Sequence, residues 1–183
     1  MIKSYLITDP EFYGTDLFTF TQTLTSIITK NSIDFALYRD KKNLHYSLFA
    51  QEFVLTCKQK KIASLLHQDY RLAKELDAFG VHLDSTQFDV IKEAKELGLF
   101  VVISTHSFEE IQIAQDLGAD AVTFSPIFES PNKGNPKGLA PLKEIQGKIK
   151  IKIIALGGIT TDEQIDAVKS CRVFAYASIR KFI

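Results

Sequence analysis

Eight short apolar runs, each ending in polar residues, constrain the fold of this chain more than any other feature. They are Tyr5–Ile7 before Thr8-Asp9, Phe35–Tyr38 before Arg39-Asp40-Lys41, Ser64–Leu66 before His67-Gln68-Asp69, and Val81–Leu83 before Asp84. Further on, Phe100–Ile103 runs into Ser104-Thr105-His106, Ala121–Phe124 into Ser125, Ile151–Leu156 into Gly157-Gly158, and Val173–Ala177 into Ser178. Apolar runs of strand length read as parallel strands buried on both faces, and polar groups at their C-terminal ends read as an active-site face.

Segments with helical period fill the gaps, as parallel crossovers require. Ser107 and Glu110 form a capping box ahead of a helix that Gly118 closes, and Asp16 caps a segment to Asn31 whose Leu17, Phe20, Leu24, Ile27 and Ile28 share one face. Helices are also expected over Tyr46–Lys60, Arg71–Asp77, Asp89–Leu97, Leu139–Lys148 and Thr161–Lys169. Strict alternation implies an α/β fold, and eight strands in 183 residues favour a closed (β/α)8 TIM barrel forming a single domain, 1–183, over an open doubly wound sheet. The chain stops at Phe182-Ile183, so the eighth helix is expected to be missing. The apolar surface it leaves calls for a second subunit, as in a homodimer, or for Phe182 and Ile183 to fold back.

Lys plus Arg and Asp plus Glu both number 22, so the net charge is zero and offers no long-range attraction to nucleic acid or an anionic membrane. Neither is expected as a partner. The absence of a signal peptide and of a span of roughly 20 apolar residues makes a cytoplasmic location the expectation. Cys57 and Cys171 are too far apart in sequence to suggest a metal cluster or a disulfide framework.

Among the polar ends, Gly157-Gly158 is the strongest signal. Glycine lets backbone N–H groups approach a phosphate, the helix start Thr160-Thr161-Asp162 adds a dipole, and the Ser178 hydroxyl is a further donor. A ligand-free glycine turn is the competing reading. Arg39 and Lys41, two residues apart, would hold a phosphate or pyrophosphate if they point the same way, or else form a solvated surface pair. His106 is a candidate proton carrier or simply part of the turn before its helix. Asp69 and Asp84 are candidate bases or metal ligands without a third partner. The loop Ser130–Gly138 is a mobile lid or a tolerated insertion, and its Lys133 a third cation or a plain surface residue.

Tyr5-Leu-Ile-Thr-Asp9, Arg39-Asp-Lys41, Val81-His82-Leu83, Ser104-Thr-His-Ser107, Gly118-Ala-Asp120, Ser125-Pro-Ile-Phe128 with Lys133, and Ala155-Leu-Gly-Gly-Ile159 resemble, in order, the motifs of the thiamine phosphate synthase and TenI superfamily. The resemblance implies a (β/α)8 barrel that acts on small molecules. Synthases of that family join hydroxymethylpyrimidine pyrophosphate to hydroxyethylthiazole phosphate with Mg2+, and TenI-like members include a thiazole tautomerase that needs no cofactor. Carried over by residue, it assigns Arg39, Lys41 and Lys133 to pyrophosphate, and Gly157, Gly158 and Ser178 to the thiazole phosphate. Gln68, Ser104, Ser130 and Asn132 become further ligand contacts, Asp69 one magnesium ligand, and His106 the acid/base of the tautomerases.

This chain departs from the synthase pattern at Leu37 (for glutamine), Gln68 (for asparagine), Asp84-Ser-Thr-Gln87 (for Gly-Gln-Glu-Asp), and Ser130 and Asn132 (for two threonines). Gln87 then holds the second magnesium-ligand position, where a neutral amide is a weak ligand for a hard dication. The departures point to a TenI-like tautomerase binding a thiazole phosphate. Thiamine phosphate synthase and a non-catalytic phosphate-binding protein are the alternatives.

Overall fold

A computed structural model describes residues 1–131 and 133–183. Eight parallel strands, β1 (Lys3–Ile7), β2 (Phe35–Tyr38), β3 (Ala63–His67), β4 (Gly80–Leu83), β5 (Phe100–Thr105), β6 (Ala121–Phe124), β7 (Lys152–Leu156) and β8 (Ala175–Ser178), pair in sequence order and close with β1 on β8. The open-sheet alternative is thereby excluded. Helices α1 (Pro10–Tyr13), α2 (Leu17–Lys30), α3 (Tyr46–Gln59), α4 (Tyr70–Glu75), α5 (Ile91–Glu96), α6 (Phe108–Asp116), α7 (Leu139–Gln146) and α8 (Asp162–Ser170) surround the barrel. No described helix is long and apolar enough to cross a membrane.

The expected caps form. Asp16 accepts from Thr19 N–H, Ser107 from Glu110 N–H, and Gly118 adopts φ +88 beyond α6. The Glu110 carboxylate reaches back one residue further than a capping box requires, to the N–H of His106. Helix α1 was not expected. Its signal was present in Asp9-Pro10, an N-cap that accepts from Glu11 N–H followed by proline at the first helical position. Because α1 is an addition within the β1 crossover, the eight helices among the described residues do not include one after β8. A single 3-10 turn, Arg180–Phe182, stands there instead. Phe182 folds back as one of the two expected coverings does: it is buried, stacks on Tyr176 at 6.1 Å, and its carbonyl accepts from the Asn31 side chain. Ile183 stays exposed.

Alternation sorts each strand's side chains to two cores. Leu6, Tyr38, Leu66, Val81, Leu83, Ile103, Val122 and Ile153 face the helices, whereas Tyr5, Ile7, Leu37, Leu65, Val102, Ala121, Ile154, Ala175 and Ala177 fill the barrel. Phe35, Phe79, Phe100 and Phe174 plug its N-terminal end, with ring centroids 5.1–6.0 Å apart. The plug leaves the C-terminal mouth, where the polar strand ends collect, as the face open to a ligand.

Candidate functional site

The mouth has two halves, built differently. On the β2–β4 side, side chains do the work. Thr8 Oγ1 accepts from Arg39 N–H at 2.9 Å, and Tyr46 Oη accepts from His67 N–H at 3.0 Å, so both strand ends are pinned. His67, in register beside His82, is buried with Arg39 and Lys41 close enough to disfavour its protonation. Burial first, and then those two cations, push its pKa down to about 4 against the opposing charge of Asp84. Burial, His67 and Arg39 push His82 down to about 3. Both imidazoles are therefore neutral near pH 7. Arg39, half-buried, and Lys41, exposed, both lie close enough to His67 for their charges to bear on it.

Gln68, at φ +67, turns its amide onto the Asp84 carboxylate, and Gln87 bridges the pair by donating to Gln68 O and accepting from Asp84 N–H. Burial opposes ionisation of Asp84, but hydrogen bonds from Thr86 and Gln68 and the charge of Lys41 outweigh it and hold the carboxyl below the usual range. Asp69 caps α4 through Leu72 N–H at 2.9 Å. Beside it, Gln68, Asp69, Tyr70 and Arg71 line an open cleft of about 340 Å³.

The β6–β8 side is built from backbone. Gly157 (φ +102) and Gly158 (φ +70) turn in a conformation that L side chains rarely adopt. A Cβ on Gly157 would stand 2.8 Å from Pro126, and one on Gly158 2.4 Å from the Glu129 carbonyl. Both glycines are thus demanded by the loop after β6, whose Ile127 and Phe128 N–H groups donate to Leu156 O and Gly157 O. Among the described residues, the Gly157 and Gly158 N–H groups have no acceptor. Ser130 sits next to this turn, with its hydroxyl donating to Phe128 O at 3.4 Å. Two contributors expected from the sequence are otherwise engaged. The Ser178 hydroxyl donates to Ile159 O at 2.6 Å and accepts from Lys181 N–H. The start of α8 is closed by its own Thr161–Gln164 capping box and carries Asp162 and Glu163. Lys133 is exposed, with its N–H on Ser130 O, and Asn132 lies outside the described residues.

Between the halves, a chain of hydrogen bonds crosses the barrel from Tyr5 Oη to His82 Nδ1 (2.9 Å) and from His82 Nε2 to Ser104 Oγ (3.1 Å). His106 follows two residues after Ser104, exposed on the rim. Sequence reasoning passed over Tyr5, His67 and His82 as site residues. Alternation held the clue, since Leu65-His67 and Val102-Ser104 keep one parity, as do Tyr5 and Ile7.

A magnesium ion of the kind the synthases use would need oxygen ligands at the ends of β3 and β4. Asp69 gives one oxygen to its helix cap, Asp84 accepts from three protein donors, and the Gln87 amide is bonded on both sides. Among the described residues no three His, Cys, Asp or Glu side chains group to hold a metal. This donor set does not fit a metal held by the protein alone.

The family model described as thiamine monophosphate synthase matches residues 4–182. A curated protein of Aquifex aeolicus, "Putative thiamine-phosphate synthase 2", is 33% identical over 187 residues, which cover 99% of this chain and 97% of that one. The "Thiamine-phosphate synthase" of Bacillus thuringiensis is 33% identical over 129 residues, 67% of this chain and 58% of that relative. Among solved structures, the thiamine phosphate pyrophosphorylase of Pyrococcus furiosus superposes with a TM-score of 0.83 at 23% identity, over 97% of this chain and 85% of that one. That likeness shows the fold.

Proposed function

The chain belongs to the thiamine monophosphate synthase family and is an enzyme of thiamine biosynthesis, and from that premise we propose that it acts as a TenI-like thiazole tautomerase. The observation that carries this reading is the engagement of Asp84, Gln87 and one oxygen of Asp69 within the protein, which leaves little to hold magnesium pyrophosphate. Tautomerisation needs no metal. It needs an anchored ring, one proton removed from a ring carbon and one delivered to a carbon outside the ring in conjugation with it, so that atoms balance in the isomeric product. The free amides of Gly157 and Gly158 anchor the phosphate, and the rim imidazole of His106 carries the proton, its main chain held by Glu110. The cofactor-free reaction takes one small-molecule substrate, a thiazole phosphate.

The second reading, thiamine phosphate synthase, draws support from the names of the 33%-identical relatives and from the Arg39–Lys41 pair, which suits a pyrophosphate. One experiment separates them. The enzyme is incubated with the non-aromatic tautomer of carboxythiazole phosphate in D2O, with and without hydroxymethylpyrimidine pyrophosphate and Mg2+. The tautomerase takes up one deuteron with neither addition, and His106→Asn lowers that rate by roughly 10²–10⁴-fold, the usual contribution of a positioned acid/base. Product that forms only with pyrimidine and Mg2+, releasing pyrophosphate, would establish the synthase. No turnover under either condition would leave a phosphate-binding protein.

A further inference from the structure

Tyr5, His82, Ser104 and Thr123 form a polar floor across the barrel, on β1, β4, β5 and β6. Tyr5 and His82 are only 1% and 3% exposed, and their rings stack at 5.8 Å with an interplanar angle of 28°. Their protons can be assigned by accounting for donors. The Tyr5 hydroxyl has His82 Nδ1 as its one described partner, and a buried donor without an acceptor is costly, so Nδ1 accepts. A neutral imidazole that accepts at Nδ1 carries its proton on Nε2, which therefore donates to Ser104 Oγ at 3.1 Å. Ser104 Oγ is left with its own proton and no described acceptor. Thr123, its register neighbour on β6, has a fully buried Oγ1 that is also unpartnered, so the floor holds polar capacity that the described protein does not use.

We propose that Tyr5 and His82 are positioning residues that fix Ser104 as a hydrogen-bond donor for an unprotonated ring nitrogen, selecting a heteroaromatic ring with an acceptor facing the barrel floor. The choice of a thiazole as that ring rests on the function proposed above. A phosphate held at Gly157-Gly158 and a ring nitrogen held at Ser104 would fix the ring at two points, below the His106 rim. A single anchor would leave it free to rotate.

The tautomer is tested first, on the ligand-free enzyme, by ¹⁵N NMR of the imidazoles. An unprotonated Nδ1 and a protonated Nε2 are expected for His82, and Tyr5→Phe should erode that preference. A proton on Nδ1 in the parent overturns the proposal whatever the enzyme catalyses, and needs no variant to fold. Binding is tested second, with hydroxyethylthiazole phosphate against the thiophene analogue that lacks the ring nitrogen. The parent should prefer the thiazole by tenfold or more. Ser104→Ala and Tyr5→Phe should cut the preference below about threefold while inorganic phosphate binds as before. Equal binding of both rings by a parent that still turns over the thiazole overturns the role of Ser104 and leaves the function standing. If the parent binds no thiazole phosphate, the tautomerase reading falls, and the choice of thiazole with it.

Discussion

The β2–β4 half of the mouth and the β6–β8 half are opposite solutions to placing polarity at a barrel end. The first gathers Arg39, Lys41, His67, Gln68, Asp84 and Gln87, whose charges and hydrogen bonds adjust one another. The second offers two backbone amides in a turn where no side chain fits. A side-chain site can be retuned one residue at a time, because each group contributes separately to charge and pKa. A backbone site is all or nothing: it exists only while the close approach of the loop after β6 permits it.

The largest effect that would break this contrast is expected from Gly158→Ala. The new Cβ would meet the Glu129 carbonyl at 2.4 Å with φ at +70, and strain plus overlap should cost about 3 kcal/mol or more, read by urea unfolding. A loss under about 1 kcal/mol would show that the loop yields and that the turn is not rigid. Next comes acid sensitivity, which should belong to the side-chain half. His82, faced by Tyr5, His67, Arg39 and Asp84, has a folded pKa of about 3, so the unfolded chain takes up the proton first. Its contribution to stability is full above pH about 6.5 and falls as the pH drops toward 3, by up to about 1.4 kcal/mol per pH unit. Urea midpoints measured across that window should decline, and His82→Gln should flatten the decline.

Arg39→Met sharpens the comparison further. Without the guanidinium, the His82 pKa should rise, visible in an NMR titration, while phosphate binding at the glycine turn weakens less than about threefold. Coupled changes in both would mean that one anion spans the mouth. The smallest effect is expected from Lys133→Ala. Its ammonium is exposed on the loop, so stability should change by less than about 0.5 kcal/mol and phosphate affinity by less than threefold.

The strands were legible because a buried parallel strand must be apolar at consecutive positions, and each of the eight runs overlaps its observed strand. The caps at Asp16 and Ser107 were legible because a side chain three residues from an amide leaves few alternatives. Ser178 and the start of α8 read as anion donors because a hydroxyl or a helix N-terminus looks free until its neighbours are known. Ile159 and Lys181, 19 residues behind and three ahead, engage the Ser178 hydroxyl.

By itself the sequence determined the alternation of strands and helices and the polar character of one end, and favoured a barrel over an open sheet, since these follow from local periodicity and strand length. The neighbours of each strand and the closure of β1 on β8 came from the structure. Closure decided which of those polar groups meet. Tyr5 and His82 stand 77 residues apart, yet their contact depends on the stagger of all the strands between them. Local pattern carries no such information. Stagger is set by the summed packing of the interior, so the hydrogen-bonded floor and the burial that keeps its imidazole neutral came into view only in the closed structure.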